Sequence, residues 1–496
     1  MTLRELISGL GVKEIQGDDS VEITDIAYHS QKVVPGTLFV AIRGLKADGH
    51  DFIPEAMKRG AGAVVVEDMG KCTPGRIPTI AVSNSRRALA QLSARFFGYP
   101  SGALKLIGVT GTNGKTTITF LIESILKEGG FNPGVVGTIN YRLGGKETIA
   151  IHTTPESLDL QRILSQMKGN GATHAVMEVS SHALDQGRVE GCRFEGAVFT
   201  NLTPEHLDYH GDMSGYFKSK EKLFTSLIRQ EGFAVINCDD EWGELISRNL
   251  AMNCFRYSLK KQAEIQAEEE VFSLNGIGAK VRTPAGVLTV ASPLVGEFNL
   301  YNILAAVGVG IAQGIALNLV ESGIAKVRNV PGRLEQVNND RGITILVDYA
   351  HTSDALERVL LALRGLSKGR IITVFGCGGD RDKTKRPRMG EISGRYSDLT
   401  IITSDNPRSE DPLVIIAEIE EGIKGLGMQR SRGDSERGYF VVPDRREAIV
   451  NGIRFSKKGD VLLIAGKGHE NYQVIGERRI HFDDREEVVK ALKALA

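Results

Sequence analysis

Residues 108–117 read GVTGTNGKTT, the stretch of the chain that packs the most chemistry into the fewest residues. It follows apolar residues 104–109 and opens a segment, 118–127, where Phe120, Leu121, Ile125 and Leu126 fall at helical spacing. A strand, a glycine turn, a lysine and a helix start make a phosphate cradle. Glycine lets backbone N–H groups approach phosphate oxygens, and the helix N-terminus favours negative charge. Lys115 adds a full positive charge, and the Thr116 hydroxyl can face Mg2+. The strict P-loop pattern requires glycine where Val109 stands, so this is a variant loop built on Gly111 and Gly114. A plain strand-to-helix turn has no need of two glycines, a lysine and two threonines in one run.

Two further stretches put polar residues at strand ends. In MEVSSHALDQGR, residues 177–188, Glu178 closes an apolar run and can share a hard cation with Thr116. In TNLTPEHLDYHG, residues 200–211, His206 and Asp208 follow a strand. A lone histidine is usually structural, but a polar turn beside a phosphate-binding domain raises the functional reading to equal weight. The segment YFKSKEKLF, residues 216–224, is read as a helix. At 100° per residue Tyr216, Phe217, Leu223, Phe224 and Leu227 form one apolar arc, with Lys218 and Lys222 outside it and Lys220 in its middle. Either Lys220 snorkels to water, or burial depresses its pKa and leaves a reactive neutral amine. Periodicity alone does not decide between them.

The elements that must position these residues suggest an α/β protein of three domains. Residues 1–102 form a smaller α/β domain with strands at 37–42 and 63–67, a helix at 53–59 and turn chemistry at FFGYPSG, 96–102. Residues 103–330 alternate strand runs (174–179, 196–202, 233–237) with helical segments, which predicts a P-loop-type, mostly parallel sheet with helices on both faces. Within them, 262–292 reads as a small antiparallel sheet. Residues 331–496 predict a Rossmann-like α/β domain with strands at 343–347, 370–375, 399–403 and 461–465. Each of these ends in a polar or glycine-rich tip: DYAHTSD, GCGGDRD, SDNPRSED and GKGHE. Ligands of open α/β sheets bind beyond the carboxyl ends of strands, so these tips are where a second substrate is expected.

Bulk properties narrow the class. The 496 residues are 41% hydrophobic and 25% charged, with 61 basic against 61 acidic side chains, which speaks against nucleic-acid binding by bulk charge. Cys72, Cys192, Cys238, Cys254 and Cys377 show no CxxC spacing, so neither a disulfide framework nor a zinc site is expected. No signal peptide and no membrane-length apolar run is visible, and a cytoplasmic protein without membrane insertion is expected.

GVTGTNGKTT, HTTPES, MEVSSHALDQGR, TNLTPEHLDYHG, YFKSKEKLF, GEFNLYNILAA, PGRLE, DYAHTSDAL, GCGGDRD, SDNPR and AGKGHE occur together and in order. As a set spanning nearly the whole chain, they resemble the Mur ligase family, which builds the peptide of the bacterial cell-wall precursor. Within it the chain looks like the members that add 2,6-diaminopimelate to UDP-N-acetylmuramoyl-L-alanyl-D-glutamate. The resemblance implies an ATP- and Mg2+-dependent amide ligase acting through an acyl phosphate, on small-molecule substrates, as a monomer. It implies that Gly111, Thr112, Asn113, Gly114, Lys115, Thr116 and Thr117 hold the ATP phosphates. Thr116, Glu178 and His206 would serve magnesium. Lys220 aligns with the family's carbamylated lysine, an anionic oxygen ligand beside the second magnesium. Asn299, Asn302, Arg333, Asp348 and His351 would surround the rest of the nucleotide. Thr153, Thr154, Ser180, Gln186 and Arg188 would grip the muramoyl dipeptide. Ser30 would help to hold the uridine end. There the family's Asp-Ser-Arg is replaced by His29-Ser30-Gln31, while 38–52 still resembles the family pattern.

The amine donor is read from DNPR. Diaminopimelate exceeds lysine by one distal carboxylate, which calls for the bidentate geometry of arginine. Arg408, within Asp405, Asn406, Pro407 and Arg408, supplies it, and Arg381 offers a second cation. The Gly466 backbone and the Glu470 carboxylate can meet the distal amino and carboxylate groups. Closure of the third domain onto the second is expected. Two other readings stay open. One is a folylpolyglutamate synthase, disfavoured by DNPR and DGHDF. The other is an ATP-driven switch or transport protein, which would need partner surfaces or a membrane segment.

Overall fold

The computed structural model describes residues 1–44, 47–71, 77–431 and 437–495. Cys72 and positions 45–46 of the 38–52 stretch lie outside the described residues. The chain is α/β and forms two compact units, Met1–Ile265 with Ala305–Ala316, and Gln266–Leu304 with Leu317–Ala496.

The first unit holds two sheets. One runs in space Val12–Gln16, Thr79–Val82, Ala61–Val66, Thr37–Val40, Asp25–Ala27, parallel except at Val12–Gln16. Helices Ile53–Lys58 and Ser85–Phe96 accompany it. The 96–102 stretch is more ordered than a loop. Tyr99 adopts φ 51°, and Pro100, whose ring presets the helical φ, then opens a short helix, Pro100–Ala103.

The other sheet carries strands Asn253–Ser258, Ile228–Asn237, Phe194–Phe199, Lys105–Thr110, His174–Glu178 and Pro133–Val136 side by side and parallel. A hairpin, Asn140–Leu143 and Lys146–Ile149, extends it antiparallel. Strands of a sheet covered on both faces read as continuous apolar runs, as these do. Leu106, Ala175, Met177, Ala197 and Phe199 pack in one core with Leu160, Leu164, Tyr216 and Phe224. Ile107, Val109, Val176 and Val198 alternate with them and face the opposite side. Helix Lys115–Glu128 packs against strands His174–Glu178 and Pro133–Val136. Register brings the strand ends level, since Glu178 pairs with Val109 and Phe199 with Thr110. The loops at 111–114, 179–180 and 200–203 therefore start from one edge.

The second unit includes the antiparallel strands Ile265–Ser273, Gly276–Thr283 and Gly286–Ser292. Its main sheet is ordered Glu335–Val337, Thr344–Asp348, Val461–Ala465, Ile371–Phe375, Leu399–Ile402, Gly438–Val441, parallel except at Glu335–Val337. Period-two alternation divides its core. Leu346, Phe375, Ile402 and Leu463 pack with helices Ser353–Leu366, Lys385–Tyr396 and Pro412–Lys424. Ile345, Ile372, Val374 and Leu462 pack with helices Arg445–Phe455 and Asp484–Ala494. All four predicted tips leave the same edge. Among the described residues no helix is long and apolar enough to cross a membrane.

Candidate active site

The phosphate loop is stitched to the turn that follows strand Phe194–Phe199. The Thr112 amide donates to the Asn201 carbonyl at 2.8 Å, and the Asn113 amide to Asn201 Oδ1 at 3.0 Å. Thr200 Oγ1 donates to the Asn113 carbonyl at 2.7 Å. Gly111 has φ 141°, and a Cβ there would stand 1.8 Å from Thr200 Oγ1, so only glycine lets the two turns touch. Gly114, at φ 93°, starts helix Lys115–Glu128, in whose first turn Thr116 and Thr117 are buried.

Lys115 folds back on this loop, donating Nζ to the carbonyls of Gly111 at 3.0 Å and Thr112 at 2.8 Å. Lys220 reaches the same place from helix Met213–Lys222. It is buried at 1% exposure and donates Nζ to the Gly111 carbonyl at 2.8 Å, with the ammonium 4.5 Å from the Tyr216 ring centre. The snorkelling alternative is thereby excluded. Burial first, and the Lys115 charge second, push the Lys220 amine well below its ordinary value.

Glu178, the last residue of its strand, is buried and saturated with donors. Thr116 Oγ1 reaches Oε2 at 3.0 Å, Thr138 Oγ1 reaches Oε2 at 3.0 Å, and the Thr138 amide reaches Oε1 at 2.8 Å. Thr138 sits in no recognisable motif, and no spacing in the sequence points to it. A carboxylate and a hydroxyl 3.0 Å apart at a phosphate loop are the oxygen donors a hard cation takes, so Glu178 and Thr116 fit Mg2+. His206 is not drawn into this contact. It adopts φ 56° at the head of helix Leu207–His210, its ring meets His182 edge-on at 4.6 Å, and Nε2 lies 3.8 Å from Glu205. Burial lowers the His206 pKa and takes that of His182 down to about 4. Among the described residues no three His, Cys, Asp or Glu side chains cluster as a metal site.

The residues expected to grip the dipeptide do converge. Thr153 Oγ1 lies 3.1 Å from Thr138 Oγ1, and Thr154 Oγ1 donates to the Glu178 carbonyl at 2.9 Å. The Ser180 amide donates to Thr154 Oγ1 at 3.0 Å, and the Ser180 hydroxyl caps helix Ser181–Asp185. Arg188 donates to the Thr154 carbonyl at 3.1 Å and to Gln186 Oε1 at 2.7 and 3.0 Å. Ser30 lies apart from them, buried in the first sheet's domain, with its hydroxyl on Glu55 at 2.8 Å.

The second unit presents two groups. In the first, Asn302 Nδ2 donates to Asn299 Oδ1 at 2.9 Å, and Asn299 Nδ2 to the Val295 carbonyl at 2.8 Å. Asp348 ends its strand and receives the Leu334 and Ala350 amides, both at 2.7 Å. Arg333 lies over the Tyr349 ring at 4.9 Å, and the His351 ring stands 4.5 Å from that of Tyr349.

The second group gathers the amine-donor candidates. Asn406 Nδ2 donates to Glu470 Oε2 at 2.9 Å. Gly466 has φ 115°, and a Cβ there would approach Asp405 Oδ2 to 3.0 Å. Pro407 is buried, and its carbonyl is so close to Gly379 that a Cβ on that glycine would reach it at 1.9 Å. Arg408 is half-buried at φ 53°, fixed by its amide on the Val474 carbonyl and its own carbonyl under the Gly476 amide. Its Nη1 donates to the Gly379 carbonyl at 2.7 Å. Arg381 is exposed and folded onto the carbonyl of Asp380. It borders the same Gly378 as Arg408, since a Cβ there would lie 2.8 Å from Arg408 Nη1 and 3.9 Å from Arg381 Cγ. Lys467, unremarked in the sequence, is buried among these residues.

Comparison with known proteins identifies the family. Three family models match in order: the Mur ligase family catalytic domain at 22–97, the Mur ligase middle domain at 109–310, and the Mur ligase glutamate ligase domain at 332–468. The chain is 48% identical, over 100% of its length and 99% of the relative's, to the UDP-N-acetylmuramoyl-L-alanyl-D-glutamate–2,6-diaminopimelate ligase of Geobacter metallireducens. It is 44% identical to the protein of the same name from Gloeobacter violaceus, over 99% of this chain and 98% of that one. A solved structure of a ligase with that name superposes with a TM-score of 0.71 at 33% identity, covering 100% of this chain and 99% of the other. The folylpolyglutamate synthase of Mycobacterium tuberculosis has a TM-score of 0.63 at 17% identity and covers 77% of this chain and 92% of its own, a likeness of fold. The chain belongs to the Mur ligase family.

Proposed function

We infer that the chain is an ATP-dependent amide ligase that joins meso-2,6-diaminopimelate to UDP-N-acetylmuramoyl-L-alanyl-D-glutamate in peptidoglycan precursor synthesis. The observation that carries the reading is the meeting of Lys115, Lys220, Thr116 and Glu178 around one glycine loop. ATP with Mg2+ would supply the γ-phosphoryl group that turns the substrate carboxylate into an acyl phosphate with release of ADP; the amine then attacks the acyl carbon, forming the amide as phosphate and a proton leave. Lys115 leaves its carbonyl partners for the phosphates and lessens the repulsion between two anions. Thr116 and Glu178 are the oxygen ligands for the metal, with His206 a further ligand. The neutral amine of Lys220 is the group that takes up CO2 to become an N6-carboxylysine, an additional oxygen donor. The phosphates rest on 111–117, and Asn299, Asn302, Arg333, Asp348 and His351 serve the rest of the nucleotide. Thr153, Thr154, Ser180, Gln186 and Arg188 orient the dipeptide, and Ser30 the uridine end. Asp405 to Arg408, Arg381, Gly466 and Glu470 receive diaminopimelate. The reading includes a cytoplasmic monomer.

Phosphate release with ATP, Mg2+ and the UDP-linked dipeptide tests it, with diaminopimelate and lysine offered separately. Release dependent on both the dipeptide and diaminopimelate is expected. Release that needs neither, or that lysine supports better, overturns it.

A further inference from the structure

Lys467 is fully buried and carries a charge that the roles given above leave unused. It follows strand Val461–Ala465 at the edge where the tips gather. Its Nζ donates to Glu470 Oε2 at 3.3 Å, to Asn406 Oδ1 at 3.4 Å and to the Tyr472 carbonyl, and stands 3.8 Å from Asp405 Oδ1. Asp405 Oδ1 is buried and has no hydrogen bond, so the lysine charge is what faces it. The nearby Arg445 is held by Asp484, with contacts of 2.8 and 2.7 Å, and its charge also acts on Asp405 and Glu470 without contacting them. Lys467 is the buried cation that lies within 4 Å of both carboxylates, 3.8 Å from Asp405 and 3.3 Å from Glu470.

A buried ion pair is a poor source of stability, since apolar side chains of the same volume do as well. A positional role explains it better. The distal centre of diaminopimelate is an ammonium and a carboxylate on one carbon. A complementary pocket offers one negative and one positive charge. Arg408 is the positive group and Glu470 the negative one, which leaves Asp405 to be cancelled. Uncancelled, it would repel the distal carboxylate and favour an amine that lacks one.

We propose that Lys467 is a positioning residue for the amine donor, neutralising Asp405 and holding Glu470 and Asn406 in the one arrangement that accepts a zwitterionic centre. This rests on the reading that 405–408 and 466–470 bind the amine. Lys467→Met should raise KM for diaminopimelate by about tenfold or more and leave kcat, and KM for ATP and the UDP-dipeptide, within about threefold. Adding Asp405→Asn removes the stranded charge, so the Lys467→Met/Asp405→Asn protein should match Asp405→Asn alone within about threefold. That comparison also serves if Lys467→Met alone does not fold. An unchanged KM for the amine, a parallel rise in all three KM values, or a double variant about tenfold worse than Asp405→Asn overturns the proposal. If the wild type prefers lysine, the diaminopimelate reading falls, and the same comparisons with lysine as donor still decide the role of Lys467.

Discussion

The side chains of Lys115 and Lys220, 105 positions apart in the chain, end on one oxygen, the carbonyl of Gly111, at 3.0 and 2.8 Å. Two ammonium groups drawn to one oxygen repel each other in a buried setting, and the more deeply buried one is the costlier to keep charged. The amine of Lys220 is driven down from an ordinary 10.5 by burial and then by Lys115. Unfolded, it keeps its proton up to 10.5, so between the lowered folded value and 10.5 the unfolded chain binds more protons. Stability therefore rises with pH across that window, by up to about 1.4 kcal/mol per unit, and the penalty is complete and flat below it. Lys220→Met should be more stable than wild type in CO2-free buffer near about pH 7, and its advantage should shrink by about pH 9.5. Urea melts at the two pH values decide it, and an advantage that stays constant or grows sinks the account.

The neutral amine is also the form that reacts with CO2. If the resulting carbamate is an oxygen ligand, Lys220→Ala should lose about a hundredfold or more in kcat and regain part of it on addition of formate or acetate, which restore a carboxylate to the vacated space. Full activity without an additive would rule the carbamate out.

Thr138 makes a narrower prediction. It supplies two of the three contacts that hold the Glu178 carboxylate, one from its hydroxyl and one from its amide. Thr138→Val deletes the first and spares the second. The Mg2+ concentration for half-maximal activity should rise about tenfold, while Thr138→Ser stays near wild type. An unaltered Mg2+ titration for Thr138→Val would mean that Thr116 and the backbone suffice to orient Glu178.

These residues differ in how far the sequence could reach them. Lys220 was legible as an inward lysine because helical spacing fixes direction, but its partner, the Gly111 carbonyl, lies 109 positions away and leaves no local trace. The parallel strands were legible as apolar runs, and their tips as polar stops, because a sheet covered on both faces allows little else. Thr138 follows a strand without a motif, and only the fold brings it under Glu178. His206 is legible as a polar residue after a strand, while the edge-on contact of its ring with His182 is one that sequence spacing cannot reveal. Nothing in AGKGHE singles out Lys467, and only its burial does so.

In the proposed reaction Arg408 is the residue that selects the amine. Its backbone is pinned at φ 53° by Val474 and Gly476, and one guanidinium nitrogen is committed to the Gly379 carbonyl at 2.7 Å. That anchor fixes the plane of the group and leaves its other N–H donors for a carboxylate, the arrangement that discriminates an amino acid with a distal carboxylate from one without. Arg408→Ala leaves that carboxylate unpaired in the bound state and should cost about 2–5 kcal/mol in kcat/KM for diaminopimelate. Lysine brings no such carboxylate, so its kcat/KM should change little and the ratio between the two amines should collapse. Arg408→Lys should behave like Arg408→Ala, because a single ammonium cannot hold the Gly379 carbonyl and grip a carboxylate in two places. Measuring kcat/KM for both amines in wild type and the two variants settles the matter. If the ratio survives either substitution, selection lies elsewhere, with Arg381 the next cation to test beside Gly378.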